Sequence, residues 1–338
     1  MKEKIKSFII THKIINILFV IGLRLIHRKS KKEINIRSNI SIFDYKKIIS
    51  EIPQYPTDIV IDNNYYGLSV SLKKYLANDK PLNAYIEHGL FLGSIVKKDS
   101  IDWCVSKIIT LSEIRKNHIK KKTTKNVIKI GPYIHYVDDF LKEDTFCHHK
   151  NDIGKTLLVF PSHSIKNLAT DFNNDELITF LKSVQNEFDT VIICLYWRDA
   201  LNQNLVKTYE NCGFKITSAG HINDIFFLSR LKSIIKLADF VVSNSVGTHI
   251  GYVNYLKKPQ MILRQKVNYK VSKNDHRAFS QRNQSDLNTL ESETKEIENS
   301  FKKYTFNISS KQNEVIEKYW GISEIKTKEA LSNALSNS

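Results

Sequence analysis

The chain has 338 residues, of which 41% are hydrophobic and 25% are charged, with 11 Gly and 6 Pro. This composition is typical of globular proteins and excludes disordered, collagen-like and low-complexity chains. The 51 Lys and Arg residues outnumber the 35 Asp and Glu residues, and the resulting net charge of +16 favours anionic partners of a kind it does not define. The length suggests two domains.

The four cysteines are far apart in the sequence, and none belongs to a CxxC pair: Cys104, Cys147, Cys194 and Cys212. This spacing argues against a zinc ribbon or a redox motif, and it excludes a dense disulfide framework in a chain of this size. We therefore expect free thiols in a reducing cytosol.

Residues 1–33 are predicted to form a basic amphipathic helix. The most apolar part, residues 14–26, contains Asn16 and Arg24 and is shorter than the roughly 20 residues that span a bilayer. Cations follow this part, where a signal peptide would have small residues. Nine Lys and Arg against two Glu give these 33 residues a net charge of +7. Two interpretations stay open: a helix on an anionic membrane surface, or one packed on its own protein.

From residue 56 onward, short apolar runs alternate with helical patterns, which is typical of βαβ units and parallel sheets. The runs are residues 58–62, 82–86, 108–111, 127–130, 157–160, 191–196, 214–217, 240–242 and 260–263. We predict an α/β fold with two Rossmann-like domains, 56–147 and 152–325, and a tail at 326–338.

Ligands of open α/β sheets bind beyond the carboxyl ends of the strands. Here the run 240–242 is followed by Ser243, Asn244, Ser245, Gly247 and Thr248. Hydroxyl groups and a glycine at the start of a helix suit a phosphate group. A helix cap would require one of these serines but not the whole cluster. We therefore predict a phosphate-binding turn.

Other polar residues follow the remaining strands of the second domain. His163 and Ser164 follow the first strand and could bind a phosphate or assist a leaving group, or could be a capping serine beside an exposed histidine. Tyr196 and Arg198 follow the second strand and offer an aromatic surface and a cation, unless the aromatic ring belongs to the core. His221 follows the third strand and could line the same crevice or cap a helix.

In the first domain, Glu87, His88 and Gly89 follow the run 82–86. A neutral histidine can accept a proton near pH 7, and Glu87 could orient it. Neighbouring residues of a strand point to opposite faces, which argues against this pair, and a structural histidine is the alternative.

Several motifs are absent from the sequence: GxxxxGK[ST], GxGxxG, HExxH and GxSxG. Their absence gives little support to an NTPase, a classical dehydrogenase, a zincin or a hydrolase. The cations are not interleaved with aromatic residues, so we expect no nucleic-acid partner.

Two segments carry a family resemblance: AYIEHGLFLG (residues 84–93) and SNSVGTHIGYVNYLKKPQMI (residues 243–262). They resemble bacterial surface-polysaccharide glycosyltransferases of the GT-B type. That group includes capsule and O-antigen glycosyltransferases, Kdo and sialyl transferases, and teichoic-acid-type glycerophosphotransferases. The resemblance covers roughly residues 56–265 and implies two Rossmann-like domains that face each other across a cleft.

The resemblance also implies roles for these residues. His88 would be the acceptor-side base, and the 243–248 turn would bind the donor nucleotide, with His163 and Ser164 nearby. No metal or cofactor is expected, since the sequence lacks a DxD motif and the nucleotide-sugar is a co-substrate. The order Pro-Ser-His at 161–163, where sialyltransferases of this architecture have His-Pro, argues against a CMP-sialic acid donor.

The function predicted from these features is transfer of a sugar from a nucleotide-sugar to a glycan or lipid-linked acceptor during surface-polysaccharide synthesis. The enzyme would be cytoplasmic and peripheral on the inner face of the plasma membrane. Two alternatives stay open: transfer of a polyol phosphate from a CDP-glycerol-type donor, and a noncatalytic protein that binds sugar nucleotides or glycans.

Overall fold

The computed structural model describes residues 2–27, 30–164, 168–271 and 284–336. Short buried strands alternate with helices along most of the chain, as predicted. The strands are β1 (Ala84–Ile86), β2 (Lys107–Thr110), β3 (Asn126–Lys129), β4 (Thr156–Phe160), β5 (Leu168–Asp171), β6 (Thr190–Cys194), β7 (Lys215–Thr217), β8 (Phe240–Ser243), β9 (Gln260–Ile262) and β10 (Asn268–Val271).

The helices precede, connect and follow these strands. They are α1 (Lys2–Thr11), α2 (Lys13–Ile26), α3 (Ser30–Arg37), α4 (Tyr45–Ile48), α5 (Leu68–Leu76), α6 (Lys98–Asp102), α7 (Glu113–Lys120), α8 (Glu143–Ile153), α9 (Asn174–Val184), α10 (Trp197–Ala200), α11 (Gln203–Glu210), α12 (Phe227–Leu237), α13 (His249–Tyr255), α14 (Gln284–Phe301), α15 (Ser310–Trp320) and α16 (Lys328–Ser336).

Two parallel sheets form the two halves of the protein. The first has the order β1-β2-β3, and the second has the order β7-β6-β4-β8-β9. Strands β5 and β10 form a separate antiparallel pair. Numbered within its own half, the second sheet has the doubly wound order 3-2-1-4-5, so the chain reverses direction between β4 and β8. The predicted α/β fold with parallel sheets is confirmed, and β4 and β8 define the point at which such sheets bind ligands.

One hydrophobic core is shared by the two sheets, and each sheet also packs on a further cluster of buried residues. Ile86 and Ile109 of the first sheet belong to the same cluster as Leu158 and Val241 of the second. The intervening residues point the other way, so that Tyr85 and its neighbours pack against the N-terminal helices. This alternation along each strand fixes which residues at a strand end face the space between the halves.

The N-terminal segment is not the single helix predicted over residues 1–33. It consists of α1, α2 and the start of α3, while residues 1, 28 and 29 lie outside the described residues. Within the described part of the chain, no single helix is long and apolar enough to span a membrane. The pair Ile5–Thr11 and Lys13–Ile26 has the required length and composition together, but it is bent by 108°.

Three helices at the C-terminal end return to the first half. Helix α15 contacts α7, and α16, with Leu331 fully buried, packs on α5. The prediction of a tail at 326–338 is therefore wrong for its described residues, because the spacing of Leu331 and Leu335 gives α16 an apolar face. The gap predicted between the domains, 148–151, lies inside α8. The domain limits 56–147 and 152–325 stay a prediction.

Candidate active site

A cavity of about 540 Å³ lies between the two halves, at the carboxyl ends of β1, β4 and β8. The first half contributes His88, Gly89 and Lys97 to its lining, and the second half contributes His163 and Thr248. The carboxyl ends of parallel strands meet at one edge of each sheet, and these two edges face each other here. The cleft expected from the resemblance is thus present, and it includes the switch point between β4 and β8.

His88 projects into this cavity from the loop after β1. Both ring nitrogens are buried, and neither has a hydrogen-bond partner among the described residues. The rings of Tyr65 and Tyr85 lie 5.1 Å and 5.9 Å from the imidazole, centroid to centroid. Burial, together with the positive charge of Lys97, lowers the pKa of His88 to about 3. The ring is therefore neutral at pH 7 and has a free lone pair for a substrate proton.

Glu87 does not orient His88, so that prediction is wrong. The Glu87 carboxylate accepts hydrogen bonds from Arg115, with N–O distances of 2.7 Å to Nη2 and 3.0 Å to Nε, and from the Thr110 hydroxyl at 2.8 Å. The acid and Arg115 are both buried, and a bidentate pair of this kind is a strong structural contact. Glu87 fixes the end of β1 to α7, and the alternation of neighbouring residues sends His88 to the other side.

The turn after β8 uses its first three polar residues inside the protein. The Ser243 hydroxyl is 2.7 Å from Nε2 of His249. Oδ1 of Asn244 accepts hydrogen bonds from the backbone N–H and the hydroxyl of Ser162, at 2.6 Å and 2.9 Å. The Ser162 hydroxyl also lies 2.6 Å from the Ser245 hydroxyl. These contacts hold the loops after β4 and β8 together, and they correct the prediction that the buried Ser243 and Asn244 side chains bind phosphate directly. For the half-buried Ser245, phosphate binding stays a prediction.

Gly247 and Thr248 do line the cavity, as the predicted site requires. Oγ1 of Thr248 accepts the backbone N–H of Leu90 at 3.0 Å, so the two halves are in contact at this point. Gly89, with φ of +82°, has no room for a side chain, because a Cβ atom would lie 2.4 Å from that oxygen. The His88 and Thr248 loops therefore form adjoining walls of one site.

The two residues predicted after β4 have different roles. His163 is exposed, lines the cavity and packs against Tyr196, with ring centroids 4.7 Å apart and the ring planes tilted by 39°. Ser164 is used within the fold: its backbone N–H donates to Asp199, and its hydroxyl accepts the backbone N–H of Thr170 at 3.1 Å. Residues 165–167, which follow directly, lie outside the described residues.

Of the three further predicted contacts, Tyr196 lines the cavity. Arg198 is exposed and lies over the ring of Trp197, 4.3 Å from its centroid. His221 is buried against the same indole at 4.3 Å, and its Nδ1 accepts the backbone N–H of Asn223 at 3.2 Å. Burial, and then the charge of Arg37, lowers the pKa of His221 to about 4. His221 closes a turn, and it neither lines the cavity nor caps the following helix α12, which begins at Phe227.

The cavity residues that were not predicted from the sequence include four with polar side chains that could meet a ligand: His249, Lys97, Tyr65 and Tyr66. His249 could have been noticed, because it follows Thr248 in the same motif. Tyr66 has a positive φ of 59°, which is unusual for a residue other than glycine. No sequence pattern indicates this conformation or the position of Tyr66 in the cavity. Lys97 supplies the positive charge of the cavity. It is the only lysine or arginine among the described lining residues.

Most of the remaining lining is aromatic or aliphatic. Flat rings suit a nucleobase or the faces of a sugar, while the histidines and Lys97 suit hydroxyl and phosphate groups. Among the residues that the structure describes, no group of three or more His, Cys, Asp or Glu side chains could hold a metal ion. Independence from metals stays a prediction.

No protein family and no curated protein matches this chain. Its fold is similar to that of several solved structures. The wall teichoic acid polymerase TagF shares 14% identity with a TM-score of 0.37 over 74% of this chain, and the match spans 66% of TagF. The UDP-GlcNAc 2-epimerase from Methanocaldococcus jannaschii shares 13% identity with a TM-score of 0.39, covering 79% of this chain and 80% of the epimerase.

A third similar structure is the pneumococcal O-GlcNAc transferase GtfA in complex with UDP and GlcNAc. It shares 14% identity with a TM-score of 0.31, covering 80% of this chain and 55% of GtfA. None of these similarities is strong enough to assign an activity to this chain.

Proposed function

We propose that the protein is a glycosyltransferase that moves a sugar from a nucleotide-sugar to an acceptor hydroxyl in the cavity between its halves. The observation that carries this proposal is the position of His88. This neutral imidazole of the first half, whose two nitrogens have no partner in the described part of the chain, shares one cavity with the switch point of the second half, where sheets of this kind bind ligands.

In this mechanism the nucleotide base and sugar lie against the aromatic walls, where the rings of His163 and Tyr196 are in contact. The phosphates lie near the ends of β4 and β8. Lys97 supplies a positive charge at the rim, and the low polarity of the remaining lining strengthens each electrostatic contact with the substrate.

The chemical step follows from this placement. The acceptor oxygen attacks the anomeric carbon, a new C–O bond forms, and the bond from that carbon to the phosphate oxygen breaks. The leaving nucleotide takes the electron pair, and a ring nitrogen of His88 takes the hydroxyl proton. The bound phosphates, which are negatively charged, raise the pKa of His88 from its low value in the empty site and so improve its basicity.

The test is to incubate the protein with UDP-, GDP- and CMP-sugars and with CDP-glycerol, and to identify the released nucleotide and the mass of the product. Release of nucleotide together with a glycosylated product supports the proposal. CMP released from CDP-glycerol with a phosphorus-containing product would show polyol-phosphate transfer instead. Binding of a nucleotide without turnover of any donor would indicate the noncatalytic alternative.

His88→Ala tests the assignment of the base. The variant is expected to bind the nucleotide and to lose turnover, because the acceptor proton has no receiver. His148→Ala is the matched control, since His148 is an exposed histidine on α8 away from the cavity.

A membrane-bound acceptor is the second part of the proposal. The outward face of α2 carries Ile14, Leu18, Ile21 and Leu25, which are 75%, 63%, 46% and 70% exposed. These positions recur at helical spacing, while Asn16 faces inward and donates to the Ile59 carbonyl at 2.9 Å. An apolar stripe in a segment with a net charge of +7 suits the surface of an anionic bilayer.

Such a bilayer would be the inner face of the plasma membrane, where a glycan or lipid-linked acceptor of surface-polysaccharide synthesis is available. We expect the protein to cosediment with vesicles that contain phosphatidylglycerol and less with pure phosphatidylcholine. Leu18→Asp combined with Leu25→Asp should abolish binding, whereas Leu201→Asp, an exposed leucine in the second half, should not. Equal binding of the double variant and the wild type would overturn this part.

A further inference from the structure

His249 is a cavity residue to which the proposed reaction assigns no role. It is the first residue of α13, its ring lies 4.6 Å from that of Phe160, and it borders the cavity beside Gly247. Burial is the main reason that the pKa of His249 is lowered to about 3, so the ring is neutral at pH 7. A neutral imidazole has one N–H donor and one acceptor nitrogen, and the neighbours of the ring decide which is which.

Ser243 determines which ring nitrogen of His249 carries the proton. Its hydroxyl is fully buried at the end of β8, 2.7 Å from Nε2 of His249. If Nε2 were the donor, the Ser243 hydrogen would be buried with no acceptor among the described residues. If Ser243 donates to Nε2, both groups are satisfied, and the ring proton must be on Nδ1. The cost of a buried unsatisfied donor therefore favours the Nδ1–H tautomer.

Nδ1 lies on the edge of the ring next to Gly247, which lines the cavity. A Cβ atom on Gly247 would lie 2.9 Å from both Nδ1 and Cε1, so only glycine at 247 leaves this edge uncovered. Within the described part of the chain, Nδ1 has no hydrogen-bond partner. The site therefore presents an N–H group of fixed direction at the switch point between β4 and β8, where the phosphate of a nucleotide ligand is expected.

We propose that Ser243 and His249 form a positioning pair: Ser243 fixes the tautomer of His249, and His249 donates from Nδ1 to a phosphate oxygen of the nucleotide. This inference rests on the proposed function for the identity of the ligand, but not for the tautomer. It assigns leaving-group recognition to the second half, while His88 in the first half handles the acceptor proton.

The tautomer is tested by nitrogen NMR of the full-length protein labelled with ¹⁵N-histidine, with the His249 signals identified from their absence in His249→Asn. We expect the protonated nitrogen of His249 to be Nδ1 in the wild type, and a mixture of tautomers in Ser243→Ala. A wild-type ring protonated on Nε2 would overturn the proposal.

The ligand is tested by calorimetry with UDP, GDP and CDP as probes, and with the matching nucleosides as controls. His249→Leu should weaken binding of the diphosphate by roughly 10-fold or more and leave binding of the nucleoside unchanged. His249→Asn, whose amide can donate from nearly the same place as Nδ1, should restore part of the loss. Equal affinity of the wild type and His249→Leu for every diphosphate would overturn the proposal.

The two proposals fail in different ways. If the wild type transfers sugar and His249→Leu has unchanged kcat and KM, the positioning pair is refuted and the glycosyltransferase stands. If diphosphate binding depends on His249 but no donor is turned over, the pair stands and the glycosyltransferase is refuted. If the wild type binds none of these diphosphates, the positioning pair is refuted, and the glycosyltransferase is refuted as well if no UDP-, GDP- or CMP-sugar is turned over.

Discussion

The loop after β1 and the loop after β8 each bring a histidine to the cavity, but they hold its ring in different ways. In each loop, the residues richest in hydrogen-bonding capacity lie inside the protein: Glu87 binds Arg115, and Asn244 binds Ser162. In each loop, a histidine close to a glycine reaches the cavity, His88 in one and His249 in the other. These polar residues therefore support the two loops, and in the proposed function the imidazoles are the groups that contact the substrate.

The difference between the loops lies in how the histidine is held. Neither nitrogen of His88 has a partner among the residues that the structure describes, whereas Nε2 of His249 is bound to Ser243. A ring that must gain and lose a proton benefits from free nitrogens, and a ring that must aim one N–H at a fixed point benefits from a partner. The two halves thus contribute unequal parts to the site, one reactive and one rigid.

Among the tests of the difference between the two loops, replacement of His88 has the largest expected effect. His88→Ala should reduce kcat by about 10²- to 10⁴-fold, the usual contribution of a general base, while the melting temperature stays near that of the wild type. Initial rates of nucleotide release, with thermal unfolding measured on the same samples, check this. Full activity of the variant would remove the reactive role from the first loop.

Glu87→Ala tests the structural role of the buried pair that Glu87 forms with Arg115. It leaves Arg115 buried without its partner, which should lower the free energy of unfolding by about 3–5 kcal/mol. Urea unfolding measures this loss. A variant of full stability but without turnover would contradict the structural role given to Glu87 and would return it to the reaction.

Gly89→Ala tests the contact between the loops. Gly89 and Gly213 have similar φ angles of +82° and +79°, but a Cβ at Gly213 meets nothing within 4 Å. Both substitutions carry the strain of a left-handed backbone, about 1–2 kcal/mol. Gly89→Ala should cost about 1–3 kcal/mol more, because its Cβ overlaps Thr248. Equal losses of unfolding free energy in the two variants would mean that the halves do not meet there.

The pH dependence of stability gives the smallest effect. The folded-state pKa of His88 and of His249 is about 3, below the unfolded value near 6.5, so the unfolded chain binds more protons between these limits. The stability is fully present above pH 6.5 and falls as the pH falls, by about 1–2 kcal/mol for each histidine at pH 5. Urea unfolding at pH 7 and pH 5 should show a smaller loss in His88→Ala than in the wild type.

The sequence predicted the strand–helix alternation and the two ends of the cavity, because short apolar runs and the turns after them are local signals. It also placed His88, Gly247, Thr248, His163 and Tyr196, all of which line the cavity. It could not show that Ser243 would bind His249 rather than a ligand, since both choices satisfy the same hydroxyl. The partner of Ser243 depends on the side of β8 to which its side chain points, and that direction is set by the folded sheet.

The long-range packing was also beyond the sequence. Arg115 is 28 residues from Glu87, and nothing near residue 87 predicts that its carboxylate has a buried partner. The sequence of the short helix α16 is typical of a polar tail, and only its packing on α5 shows that it belongs to the fold. The break between α1 and α2 likewise interrupts an apolar pattern that reads as continuous.

The return of the C-terminal helices has a consequence for how the protein is made. Trp320 packs on Gly251 and donates its indole N–H to the Thr248 carbonyl at 3.0 Å, and Leu331 enters the core shared by both sheets. Until residues 310–336 have left the ribosome, α5 and α7 lack the contacts that α16 and α15 make with them. During that time the nascent chain exposes apolar surface of the kind that chaperones bind.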